Sequence, residues 1–270
     1  MKKCVAFFIF AFLMVFSVAS QVHSGFSLGI SPIHWEAVGQ PGDTVRNVVT
    51  LTSGARAIQE VRVSIGDWTL NEDGAPIFAN PKTMSDSAAS WIRFHPKEFS
   101  VYPRQRKTVK ISIRIPDEMP SGSYRTALFF EPPGADQEGK SGAATVFIRG
   151  RLALPIYVTV GDARPEGKIL EAKWKTLKGR GHVPTLKVEN RGNAHLRMNG
   201  FFSASTLERN RFEGIIPGLP ILPGHIRWIP LEFRGKEPTS DSDLDLILNV
   251  DLGDGERKLN IRVRRGVDIE

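Results

Sequence analysis

Apolar residues along this chain recur mostly at every second position rather than at helical spacing. The longest instance is A-A-T-V-F-I-R-G-R-L-A-L-P-I-Y-V, residues 143–158. Its even positions carry Ala144, Val146, Ile148, Gly150, Leu152, Leu154, Ile156 and Val158, while the odd ones carry Thr145, Phe147, Arg149, Arg151, Ala153, Pro155 and Tyr157. Strict alternation marks a strand with one buried face. Strands commonly run about 5–6 residues, so a one-sided apolar strand over 144–160 raises the question of what uses its length.

Shorter stretches share the pattern. In K-T-V-K-I-S-I-R-I, Val109, Ile111, Ile113 and Ile115 fall on one face and Lys110, Ser112 and Arg114 on the other. Strands are predicted near 27–37, 45–53, 58–69, 97–102, 107–115, 123–131 and 144–160. Seven short strands bounded by Gly, Pro, Asn and Asp predict an immunoglobulin-like sandwich, although barrels produce similar patterns. The polar segment 161–167, G-D-A-R-P-E-G, then interrupts the series. A second run of strands is predicted near 168–177, 183–190, 195–204, 225–234, 243–252 and 256–264. The expected architecture is all-β, with two tandem immunoglobulin-like domains at 25–160 and 168–270 joined by a linker at 161–167.

The first residues modify this picture. M-K-K-C precedes a 14-residue apolar run from Val5 to Val18, followed by small residues at Ala19 and Ser20. A basic start, an apolar block and small residues at its end fit a secretory signal peptide, placed at 1–24. The run is shorter than the roughly 18 residues of a membrane-spanning helix. Cleavage after Ala19, Ser20 or Ser24 fits equally. Cys4, the only cysteine, would leave with the signal, so the exported chain is expected to be held by apolar burial rather than disulfides. No later stretch is apolar enough to span a bilayer. The formal charge of +7 drops by the two lysines of the signal to +5. Mild basicity spread along the chain does not point to nucleic acid; it is a weak signal for acidic partners or anionic surfaces.

Candidate chemistry is sparse. The six histidines stand apart from other ligand types, and no H-E-x-x-H, paired cysteines, phosphate-cradling glycine loop or G-x-S-x-G elbow is present. Asp241, Asp243 and Asp245 alternate along one strand face, yet the glycine and distal glutamate of the helical calcium loop are missing. No metal, no cofactor and no enzymatic activity are expected. Five tryptophans, at 35, 68, 91, 174 and 228, offer a carbohydrate-platform reading against the commoner use of such rings in cores.

The run P-K-E-F-S-V-Y-P-R-Q-R-K-T-V-K-I-S-I-R-I-P-D, then M-P-S-G-S-Y-R-T-A-L-F-F-E-P-P, a polar loop and the long strand resembles the PapD-like periplasmic pilus-assembly chaperones. Pro103, Pro116-Asp117, Phe129-Phe130-Glu131-Pro132-Pro133 and Thr145–Val158 fall in that family's order. V-E-N-R-G-N-A-H-L and I-L-P-G in the second half look like its smaller domain. The resemblance implies a periplasmic, cofactor-free chaperone for pilus, fimbrial or related surface-fibre subunits. Strand 144–158 would be lent to a subunit lacking one strand (donor-strand complementation), and an outer-membrane usher is left open as a further partner. It places the donated side chains at Ala144, Val146 and Ile148. Leu152, Leu154 and Ile156 are instead expected to cover the domain's own core. The family's two basic anchors for the subunit's terminal carboxylate are missing: Pro32 and Ala153 stand at the matching places. Arg149 and Arg151, nearby, are the candidate substitutes, or else charges guarding an edge. A two-domain structural or adhesive envelope protein of the same fold, without chaperone activity, is the alternative.

Overall fold

The computed structural model describes residues 27–133, 150–239 and 242–264. The first ten strands are β1 (Leu28–Ser31), β2 (Trp35–Gly39), β3 (Thr44–Ser53), β4 (Gln59–Leu70), β5 (Pro76–Ala79), β6 (Ile92–His95), β7 (Glu98–Val101), β8 (Arg106–Arg114), β9 (Gly122–Glu131) and β10 (Leu152–Val160). They make two layers, one in the order β1-β3-β8-β6 and the other β2-β10-β9-β4-β5, with β7 also beside β4. Alternation supplies the core between them. Val49 and Leu51 of β3 and Val109, Ile111 and Ile113 of β8 meet Leu128 and Phe130 of β9 and Leu154, Ile156 and Val158 of β10. Each such side chain contributes about 1.5–3 kcal/mol by leaving water.

Strand β9 departs from alternation because both its faces are covered. Leu128 and Phe130 enter the core, while Ala127 and Phe129 face the opposite way, against Trp68 and Tyr157. This is why T-A-L-F-F is continuously apolar at its end. Asp67 orders the segment after β5 by accepting from the backbone N–H groups of Thr83 (2.8 Å) and Met84 (3.1 Å) and from Ser87 Oγ (2.6 Å).

The remaining strands are β11 (Gly167–Leu177), β12 (Gly181–Asn190), β13 (Leu196–Arg197), β14 (Gly200–Ser205), β15 (Arg211–Ile216), β16 (Pro220–Ile221), β17 (Ile226–Pro230), β18 (Glu232–Phe233), β19 (Leu244–Asp251) and β20 (Glu256–Val263). Sheets β11-β12-β17 and β18-β15-β14-β19-β20, with the small pair β13-β16, enclose a separate core that includes Trp174, Leu186, Val188, Phe202, Ile229, Leu246 and Leu248. The protein is all-β, with two immunoglobulin-like sandwiches.

Several elements differ from expectation. The segment 27–37 is two strands in different sheets, β1 and β2, divided at Pro32, Ile33 and His34. Strands β5, β6, β15 and the two-residue β16 fall outside the predicted strands. Segment 195–204 is interrupted at Met198 and Asn199, and 225–234 at Leu231. The long strand is described only from Leu152, with Gly150 and Arg151 outside it, and Ala144 to Arg149 lie outside the described residues. All five tryptophans are buried, which removes the carbohydrate-platform reading.

Truncating Phe130 to Ala should destabilise the protein by about 3–5 kcal/mol. Thr108→Ala, on the outward face of β8, should stay within about 0.5 kcal/mol; urea unfolding distinguishes the two.

Candidate functional site

Strand β10 is paired unequally on its two sides. Along β9 it is bonded over its whole length, from Leu152 opposite Phe130 to Val160 opposite Gly122. Along β2 the parallel pairing begins only at Ile156, opposite Trp35, and ends at Val160, opposite Gly39. Among the described residues, Leu152, Ala153, Leu154 and Pro155 therefore have a neighbouring strand on one side alone. The reason lies in the first strand's division. β1 pairs with β3 in the opposite sheet, Leu28 opposite Ser53 through Ser31 opposite Thr50, and only after Ser31-Pro32-Ile33-His34 does the chain join β10 as β2. Among the described residues no ladder joins β1 to the N-terminal half of β10, although the two strands lie close. Half-buried Leu28 and Ile30 on one lip and Leu152 on the other pack onto the first core, and Ile33 at the crossing is 70% exposed.

The outward side of the same sheet carries an aromatic patch. Trp68 meets Tyr157 edge-on at 5.2 Å, Phe78 meets Phe129 at 5.1 Å, and Leu222 of the second sandwich completes the cluster, with Ala153 packed against it. The Arg151 guanidinium lies 3.5 Å over the Phe129 ring, and its Nε is 3.3 Å from Glu131 Oε2. Glu131 itself is buried and accepts from Ser64 Oγ at 2.9 Å.

Of the residues proposed from sequence, Leu154 and Ile156 are sealed in the first core and Leu152 is half-buried at its rim, as expected of residues covering their own domain. Pro32 is exposed at the crossing and Ala153 sits in the aromatic patch. Arg151 lies at the N-terminal end of β10, its side chain 44% exposed. The donor positions Ala144, Val146 and Ile148, and Arg149, lie outside the described residues. Asp245, one of the alternating aspartates, holds Arg262 in a two-bond ion pair at 2.6 and 3.1 Å.

A polar network not anticipated from sequence joins the two sandwiches beside β10. Glu36 of β2 accepts from Arg197 of β13, and His195 Nε2 stands 3.5 Å from the same carboxylate. The His195 ring lies 4.5 Å from Tyr157, and its Nδ1 is 3.3 Å from Ser123 Oγ. Burial raises the Glu36 carboxyl, but the hydrogen bond and charge of Arg197, with His195 and His34, outweigh it and hold the group below its ordinary range. Burial is the main cause that lowers His195; the pull of Glu36 offsets it in part. A second contact clamps the β4–β5 turn onto β17. The Trp228 N–H donates to the Glu72 carbonyl at 2.7 Å, Lys175 Nζ meets Asp73 at 2.6 Å, and Lys173, Lys175 and Lys187 surround the Trp228 ring. Isolated charged residues on separate strands carry no local motif, so nothing in sequence paired Glu36 with residues about 160 positions away.

No family model and no curated protein matches the chain. Among solved structures it is similar to a chain of the chaperone–tip adhesin complex of CFA/I fimbriae biogenesis, with 11% identity, 89% of this chain and 100% of that one covered, and a TM-score of 0.46. It is similar also to the class 5 fimbriae chaperone CfaA, with 12% identity, 88% and 99% covered, and a TM-score of 0.45. A third is a chain of the CsuC–CsuE chaperone–tip adhesion subunit pre-assembly complex of Acinetobacter baumannii, with 12% identity, 87% and 98% covered, and a TM-score of 0.44.

Both Glu36 and His195 have folded-state pKa values below their ordinary ones, so the unfolded chain takes up protons that the folded chain does not. The stability they contribute is present above the ordinary values of 4.5 and 6.5 and lost as pH falls through each lowered value. The urea midpoint should therefore fall on acidification below 6.5, and Glu36→Gln should flatten the part of that decline below 4.5.

Proposed function

We propose that this protein is a periplasmic PapD-like chaperone that binds and stabilises pilus, fimbrial or related surface-fibre subunits by lending them the strand leading into β10. The single observation that carries this reading is the half-paired β10: among the described residues, four at its N-terminal end are paired along one backbone edge only, beside the rim of the first core. An extended segment of another chain added there would gain backbone bonds from the edge and apolar contacts from the lips. A subunit whose sandwich lacks a strand exposes an apolar cleft that otherwise promotes aggregation, and alternate side chains of the lent strand would fill it. Ala144, Val146 and Ile148 share the parity of Leu152, Leu154 and Ile156, whose side chains point into the first core. Burying Val146 and Ile148 in a subunit would contribute about 1.5–3 kcal/mol each.

Arg149 and Arg151 are the candidate ligands for the subunit's terminal carboxylate, which an arginine fork binds through two bonds. Stacking on Phe129 and the Glu131 contact hold Arg151 at the end of the open edge while leaving it partly exposed. In this reading residues 1–24 are the signal peptide, 25–160 and 168–270 the two domains and 161–167 their linker. An outer-membrane usher would take the loaded chaperone, and no cofactor enters. The alternative, a structural or adhesive envelope protein, is favoured by one observation: exposed Pro32 and apolar-packed Ala153 supply no charge for a carboxylate.

Ile148→Glu in the full chain should abolish co-purification of a β-rich subunit from the periplasm, as identified by mass spectrometry, while the melting temperature stays unchanged. An unfolded variant would instead assign Ile148 to the domain's own core. Replacing Arg149 and Arg151 together by Ala should weaken capture at least tenfold through lost charged hydrogen bonds, whereas unchanged affinity removes both from the site.

A further inference from the structure

The outer face of sheet β1-β3-β8-β6 carries a charge pattern that its core does not require. Alternation sends Arg46 of β3, Arg93 and His95 of β6, and Arg106, Lys110 and Arg114 of β8 outward. Register sets them in rows across the strands. Arg46 lies opposite Ser112, which lies opposite Arg93; Val48 lies opposite Lys110, which lies opposite His95; Arg106 and Arg114 lie opposite Thr52 and Thr44. The other outward positions on these three strands are threonine, serine and valine, and none is acidic.

On the second sandwich several surface cations are paired, as in Arg180–Glu232, Arg191–Glu189, Arg257–Asp254 and Arg262–Asp245, while others, such as Arg209, Arg211 and Lys236, have no ion pair among the described residues. Among the described residues only Arg114 on this face has a carboxylate, Asp117 at 3.0 Å. Arg93 donates to the carbonyls of Ser90 and Ile92. Arg46, Arg106 and Lys110 make no ion pair or hydrogen bond among the described residues. Ser112, a small residue between two arginines, leaves a dip: a shallow groove of about 450 Å³ whose outward lining is Val48, Arg46, Arg93, His95, Lys110 and Ser112.

We propose that this face docks the protein on a bilayer bearing anionic phosphate headgroups. The cations spread over a flat area, about 27 Å along β8 and about 10 Å across three strands, rather than along one line that would track a rod-like polyanion. A cationic rim around an apolar floor suits the boundary between headgroups and acyl chains, where arginine and lysine stems bury while their charges meet phosphate. The inference is independent of subunit capture, which uses the β10 edge and the inward side of β1 rather than the outward face of β3, β8 and β6.

The test is co-sedimentation of the exported chain with vesicles of one part phosphatidylglycerol to two parts phosphatidylcholine. The protein should bind these, release with added salt, and ignore vesicles of phosphatidylcholine alone. Each cation near such a surface is worth about fivefold in partition, so the triple variant Arg46→Gln, Arg93→Gln, Lys110→Gln should lose about 100-fold. A control of equal charge change on the second sandwich, Arg209→Gln, Arg211→Gln, Lys236→Gln, should lose only a few-fold. Should the triple variant fail to melt cooperatively, Lys110→Gln alone should lose about fivefold. Absence of binding to anionic vesicles, equal loss in the control, or binding to immobilised heparin with none to vesicles overturns the proposal; the last assigns the face to a soluble polyanion.

Discussion

Every backbone N–H and C=O in a sheet needs a partner, either another strand or water, and among the described residues β10 has a strand on both sides only from Ile156 onward. The division of the first strand imposes this. Because β1 is committed to β3 and the chain reaches β10 only as β2, no segment among the described residues covers Leu152–Pro155 on that side. A second strand edge in the same molecule, β6, ends the other sheet; its outward positions are Arg93 and His95, the kind of charge that discourages strand addition. The open half of β10 carries Leu152, Ala153, Leu154 and Pro155 instead.

The open edge is held firmly from behind. Leu154 and Ile156 are locked in the core on one face, while Tyr157 and Ala153 join Trp68, Phe129 and Leu222 on the other. Through Leu222 and the Glu36–Arg197–His195 network, the second sandwich is fixed against the same strand. The Trp228 clamp on the β4–β5 turn adds a second point of attachment. An edge preorganised in this way loses less conformational freedom when another strand adds to it.

Much of this fold is written in alternation. β3 and β8 follow from their apolar rows to within a residue, because one face of each is buried and the other wet. What escaped has physical reasons. Gly214 occupies an inward position of β15, where the Phe202 ring fills the space a side chain would take, so the apolar row loses a member. β5 is largely exposed and shows no alternation, and β6 is only four residues long. The change of sheet within 27–37 keeps alternation on each side of Pro32 but slips its phase, from inward 28 and 30 to inward 35 and 37, and reading the segment as one strand passed over that slip. The interface network is unreadable for a similar reason: Glu36, His195 and Arg197 become neighbours only once both sandwiches exist.

Amide hydrogen exchange across residues 144–160, compared between the free protein and the protein co-purified with a fibre subunit, tests the open edge most directly. The account predicts that alternate amides before Ile156 exchange rapidly in the free chain and become protected in the complex, while those from Ile156 to Val160 are protected in both. Full protection of Leu152, Ala153 and Leu154 in the free chain, or no change on capture, would contradict it.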